Sequence, residues 1–248
     1  RFEWKIDSLT TIMYRPSVNF SKGNSNSGSF SETLNNELIP INQKEATNRQ
    51  TNDRFSTNGS LQFNRKLNSK GRNIALRLYY NLDNGNSDRY SLANTYYLKY
   101  GDSIKVQNQW IDNLNRNHEY RVQLTYMEPV FTNHFIEINY SYQHRSSLSE
   151  KYAYDWNDLE DSYSQYPDTA QSDCYKNKYS IHQVGAFFRT IRTNYFYNIG
   201  IEIEPQQTTN QSYMRDTTLE YSSRNAINYA PTMNFKYTFS KQTTLRIN

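Results

Sequence analysis

Hydrophobic positions along this chain recur at every second residue, the period of a half-buried strand, and not at the longer period of a helix. From Asn73 to Asp83, Ile74, Leu76, Leu78, Tyr80 and Leu82 share one face and Ala75, Arg77, Tyr79, Asn81 and Asp83 the other. The same split sets Tyr120, Val122, Leu124 and Tyr126 against Arg121, Gln123 and Thr125. It sets Ile136, Ile138, Tyr140 and Tyr142 against Glu137, Asn139, Ser141 and Gln143. Tyr195, Tyr197, Ile199, Ile201 and Ile203 likewise oppose Phe196, Asn198, Gly200, Glu202 and Glu204. Weaker copies run through Ile12 to Phe20, Leu61 to Phe63 and Met233 to Phe239. The segment from Ser180 to Arg189 fits less cleanly, because Phe187 and Phe188 are adjacent and His182 shares a face with Val184. In all, about ten strands are predicted.

Turn signals add a second order. Tight polar turns fall at Asp7-Ser8, Asn68 to Gly71, Glu128 to Asn133, Arg192 to Asn194 and Ser240 to Gln242. Their spacing is about 60 residues three times running, then about 50. Between them the sequence predicts long polar loops over Gly23 to Arg54, Gly85 to Ser103, Asp155 to Lys176 and Met214 to Ser222. Short turns alternating with long loops are what a transmembrane β-barrel requires, with periplasmic turns at one rim and extracellular loops at the other. Several runs, such as Val106 to Tyr126, exceed the roughly 9–11 residues that cross a bilayer. The patterns at Arg1 to Ile6 and Thr243 to Asn248 read as incomplete strands, so the expectation is a single barrel segment over 1–248, part of a larger barrel, with neither signal nor plug.

Composition changes this picture in one respect. Of 248 residues, only 35% are hydrophobic, yet 23 Tyr, 12 Phe and 3 Trp are present, and mean hydropathy is −0.97. Disordered chains are poor in aromatics, whereas a barrel with one lipid face, a polar lumen and wet loops combines both values. A soluble Tyr-rich all-β domain, such as a glycan-binding sandwich, accounts for composition too. Tyr and Trp near run ends, including Trp4, Tyr14, Tyr96, Tyr97, Trp110, Tyr152, Tyr154 and Trp156, suggest interfacial girdles. Net charge is +4, too mild to argue for nucleic acid. The single Cys174 allows no intrachain disulfide.

The run RFEWKIDSLTTIMYRPSVNFSKG, the later NLDNGNSDRYSL and the repeated Tyr/Asn-rich hairpins resemble outer-membrane β-barrel proteins of the Bacteroidetes, of the TonB-dependent-receptor-like class. The resemblance covers essentially the whole chain, and the DSLT…RPSVNFS hairpin is its best local match. It implies a barrel of about 22 strands with an internal plug, taking up nutrients with energy from the inner membrane. It also implies as partners outer-membrane lipids, the remaining strands and plug, a surface lipoprotein and an inner-membrane energy-coupling protein. The sequence shows neither plug nor energy-coupling segment.

Candidate chemistry is sparse. His118, His134, His144 and His182 lack a second ligand at metal spacing, and no GxSxG elbow occurs. The expectation is no enzyme, no cofactor and no metal, the acidic loop Asp155 to Asp168 reading as solvated. Arg77, Arg121, Glu137, Arg189, Glu202 and Glu204 fall on the predicted lumen face, where they either meet a solute or pair to brace the wall. Trp156, Tyr163 and Tyr166 are the loop residues expected to contact a ligand. The expected function is the wall of an outer-membrane nutrient receptor or transporter, against a scaffold or secretion barrel and a soluble glycan-binding module.

Overall fold

The computed structural model describes residues 1–98, 103–214, 217–240 and 242–247. They form an all-β antiparallel meander. Its strands are β1 Phe2–Lys5, β2 Thr10–Leu34, β3 Pro40–Lys66, β4 Asn73–Tyr97, β5 Ser103–Phe131, β6 His134–Asn157, β7 Ser162–Tyr163, β8 Asp173–Ile191, β9 Tyr195–Met214, β10 Thr217–Thr238 and β11 Thr244–Ile247. Each pairs with its neighbours in chain order, except that β6 pairs directly with β8 and the two-residue β7 folds back on β6. The outer edges of β1 and β11 have no strand partner among the described residues.

Side chains opposite one another in an antiparallel pair share a face, so the register carries one face across the whole sheet. Trp4, Ile12, Phe63, Leu76, Leu124, Tyr140, Val184, Ile203 and Tyr229 lie in one cross-strand row. A row nearer the short turns holds Ile74, Tyr126, Ile138, Ala186, Ile201 and Pro231. These residues are not a core: Ile138 is 49% exposed and Ile201 47%. An apolar surface of that extent marks contact with lipid. Burial is concentrated on the opposite face, at Glu137, Phe187, Asn198, Gln109, Ile111 and Ala153.

Local chemistry closes the turns. Asp7 Oδ1 accepts from the backbone N–H groups of Leu9 and Thr10, both at 2.7 Å. Asn68 Oδ1 accepts from those of Lys70 and Arg72 at 3.0 and 2.9 Å, and Gly71 adopts φ +104, a conformation that favours glycine. Arg72 then clamps Glu128 on β5, Nε donating at 2.7 Å and Nη2 at 2.5 Å.

The short turns stand where the pattern predicts, although β5 continues to Phe131 before its turn and Lys241 and Asn248 lie outside the described residues. The long loops do not. Gly23 to Arg54 is not a loop but two strands joined at Asn35–Ile39. Gly85 to Tyr97 belongs to β4, residues 99–102 lying outside the described set. Met214 to Ser222 is the end of β9 and start of β10, with 215–216 also outside. Only Asp155 to Lys176 keeps an extended loop, over 158–172 around β7. The reason is physical. A ribbon standing in water is wet on both faces, so its ladder hydrogen bonds persist while alternation of hydropathy does not. Ser180 to Arg189 is also explained. Phe188, Ala186, Val184 and His182 share the apolar face, and Phe187 turns inward over two glycines.

Candidate functional site

The polar face opposite the apolar belt is the candidate site. Strands β6, β8 and β9 bring its charges together near the short-turn end. Arg189 Nη2 lies 2.6 Å from Glu137 Oε2, a close ion pair that lacks hydrogen-bond alignment at that oxygen. Asn139 Nδ2 donates to the other Glu137 oxygen at 3.0 Å. The Arg189 guanidinium also stands 5.9 Å from the centre of the Phe196 ring. Phe187, 8% exposed, lies against Gly185 and Gly200, where an added Cβ would come within 2.7 and 2.5 Å of its ring. Around this group Arg189 Nε, Asn139 Oδ1 and Asn198 Oδ1 are buried without a hydrogen-bond partner in the chain.

A second polar relay lies further from the turns. Ser141 Oγ donates to Gln183 Oε1 at 3.2 Å, and Gln183 Nε2 donates to Glu202 Oε2 at 2.7 Å. Arg121 Nη2 donates to Gln143 Oε1 at 2.6 Å, and Gln143 Nε2 to Glu119 Oε1 at 2.9 Å. Arg77 and Glu204 stand on the same face, opposite Gln123 and Asn228, with no ion-pair partner among the described residues. The six lumen residues read from the sequence thus share one face, but only Glu137 and Arg189 touch each other. Asn198 falls on this face by the alternation of its own strand, whereas Gln183 and Phe187 carry no charge and are placed here by register.

The loop residues assemble differently. Trp156 packs edge-on against Tyr163 at 5.1 Å. Tyr163 also meets Tyr90 at 5.8 Å and Trp110 at 6.5 Å, while Trp110 stacks on Tyr154 at 4.7 Å. Tyr163 OH donates to Asn108 Oδ1 at 3.1 Å and Trp110 Nε1 to Asp88 Oδ1 at 3.1 Å. Tyr166 is 74% exposed and has no ring contact among the described residues. This cluster lies on the same face as the lipid belt, so it looks away from the lumen. It also lies about 14 residues along β4 from Leu76, beyond the 9–11 that cross a bilayer. Trp110, Tyr154 and Trp156 are therefore not an interfacial girdle. That place belongs to Tyr80, Tyr120 and Tyr142, with His144 stacked on Tyr120 at 5.2 Å and His182 tilted against Tyr142 at 4.8 Å.

In the loop itself, Asp168 accepts from Gln171 Nε2 at 2.7 Å and the Ala170 N–H at 2.8 Å. These bonds, the Gln171 one first, hold its carboxyl below the usual range.

A two-faced antiparallel meander with an exposed apolar belt, an aromatic upper border and a paired, charged inner face is the wall of a membrane β-barrel. Comparison agrees with this: the model of the outer membrane protein beta-barrel family matches residues 65–248, and the chain belongs to that family. It resides in the cell outer membrane. No curated protein matches the chain. Among solved structures it is similar to the ferric-catecholate import receptor Fiu from E. coli K12 in its closed form, at 9% identity and TM-score 0.32, over 98% of this chain and 46% of that one. The chain spans about half the length of that receptor, and a likeness this low carries no argument.

Proposed function

We propose that this chain is wall of a nutrient receptor or transporter of the TonB-dependent kind. Further strands beyond the free edges of β1 and β11 would close the barrel, and a plug would fill it. The carrying observation is the inner face. Its ion pair and relays hold the wall, while Arg77 and Glu204, on the same face and without an ion-pair partner among the described residues, are free to meet a plug or a solute. Energy would come from an inner-membrane coupling protein, with a surface lipoprotein as a second partner. The chemistry is selective passage, not bond making.

The test is genetic. Cells lacking the gene for the full-length protein are competed against the parent in media each limited for one nutrient. The expected result is a defect confined to one nutrient class, whose uptake stops when the proton-motive force is collapsed. A protein whose loss affects no uptake, or whose uptake survives that collapse, is a scaffold or a passive channel.

A further inference from the structure

On the lipid-facing side, directly beyond the aromatic border, cations gather on β5 and β8, the two strands that flank β6. Register places His118 of β5, Ser146 of β6 and Lys178 of β8 in one row. The next row outward holds Arg116, Leu148 and Lys176. β5 and β8 stand two strand spacings apart, roughly 10 Å, within joint reach of one phosphate for an arginine and a lysine. Arg116 and Lys178 are exposed and Lys176 is half-buried. None of the three has a carboxylate within ion-pair distance among the described residues. Other cations do pair: Arg189 with Glu137 and Arg54 with Asp83 on the inner face, Arg72 with Glu128 at the rim, and Lys22 with Asp53 on the outer face of β2 and β3. The nearest carboxylate further out, Glu150, accepts a bond from Tyr213 OH at 2.5 Å.

The height of this strip is set by the belt. Along β6 the apolar face runs through Ile136, Ile138, Tyr140 and Tyr142, and about ten residues take a strand across the hydrocarbon. His144 and Ser146 therefore stand at the outer boundary, at the level of lipid headgroups. At the same level the outward residues of β9 are Gln207, Thr209 and Gln211, and those of β10 are Asn225, Ser223 and Tyr221. The positive charge is local to β5 and β8, on either side of β6, rather than a ring.

We propose that Arg116, Lys176 and Lys178 form a binding site for the phosphate of an outer-leaflet lipid headgroup, with the Tyr120–His144 stack beneath it against the acyl boundary. Continuity with the apolar belt selects a lipid over a soluble anion, because a ligand here has its tail on that belt. The proposal rests on the outer-membrane placement of the chain and not on transport.

The test uses the full-length protein in detergent micelles with added lipid A, followed by native mass spectrometry. Phosphorylated lipid A should be retained, and dephosphorylated lipid A should not. Neutralising the triad as R116Q/K176Q/K178Q should weaken retention roughly a hundredfold, since each cation near an anionic surface contributes about fivefold. Arg145→Gln removes the same charge from the opposite face of β6 and should leave retention unchanged. Heat-modifiable migration on gels verifies that each variant is folded. If the triple variant does not fold, the three single variants are read instead, each expected about fivefold down. Equal retention of both lipids, equal loss with Arg145→Gln, or inorganic phosphate binding as tightly as the lipid each overturns the proposal.

Discussion

Gly200 lacks a Cβ for a concrete reason: an added one would press on the Ala186 carbonyl oxygen and the Phe187 ring. Backbone cannot yield as a side-chain tip can, so Gly200→Ala should cost about 1–3 kcal/mol, the usual penalty of overpacking. Gly23→Ala, with open space around it, should be neutral. Urea titration of folding into lipid vesicles measures both. Glu137 and Arg189 give a second expectation. Their side chains are 10% and 26% exposed, and removing one partner leaves a largely buried charge unpaired. Arg189→Met should destabilise by about 1–3 kcal/mol, and Glu137→Gln added to it should recover part of that loss. A double-mutant cycle showing strict additivity would mean that the pair is not coupled.

Each strand has two sections with different rules. In the bilayer section, position parity decides everything. Ile138→Arg or Leu76→Arg should cost roughly 2–4 kcal/mol if near the midplane, while the neighbouring Asn139→Arg on the lumen face should be far milder. Equal costs on both faces, in the same lipid titration, would refute the face assignment. This section was readable from sequence, because lipid demands alternation and Leu76, Ile138 and Ile201 show it. The outer section was not. Ser, Thr and Asn on both faces of β2 and β3 leave no period to detect, so a hairpin looked like a loop. The lumen charges were legible by parity alone, whereas the company of Phe187, Gly185 and Gly200 depends on register between β8 and β9, which a single strand's pattern does not encode. The loop at 158–172 obeys a further rule. Asp168 has a lowered pKa, so its bonds stabilise the loop fully at neutral pH. That contribution starts to fade as pH falls below the ordinary value of about 3.9 and is gone below the lowered one. The protection factors of the Ala170 and Gln171 amides, each taken against the intrinsic exchange rate at the same pH, should therefore be lower at pH 3 than at pH 6, and Asp168→Asn should remove the difference.

As a whole molecule the chain is a single curtain of strands, lipid on one side and lumen on the other, projecting well past the bilayer. The pairing of β2 with β3 runs without interruption from Thr10 opposite Arg65 to Thr33 opposite Asn42, and β3 is paired along its length with β4 as well. Such a curtain cannot easily change length from within. One residue added inside β3 would exchange its lipid and lumen sides, and two would displace it against both neighbours at once. New sequence can enter freely only at the hairpin tips. An epitope inserted after Glu37, in the Asn35–Ile39 tip, should be displayed on intact cells and stain with antibody, whereas the same epitope between Gly59 and Ser60 should abolish assembly. The wall is thus closed to innovation along its strands, and diversity among related barrels, or a graft made by hand, has its natural point of entry at the outermost few residues of each ribbon.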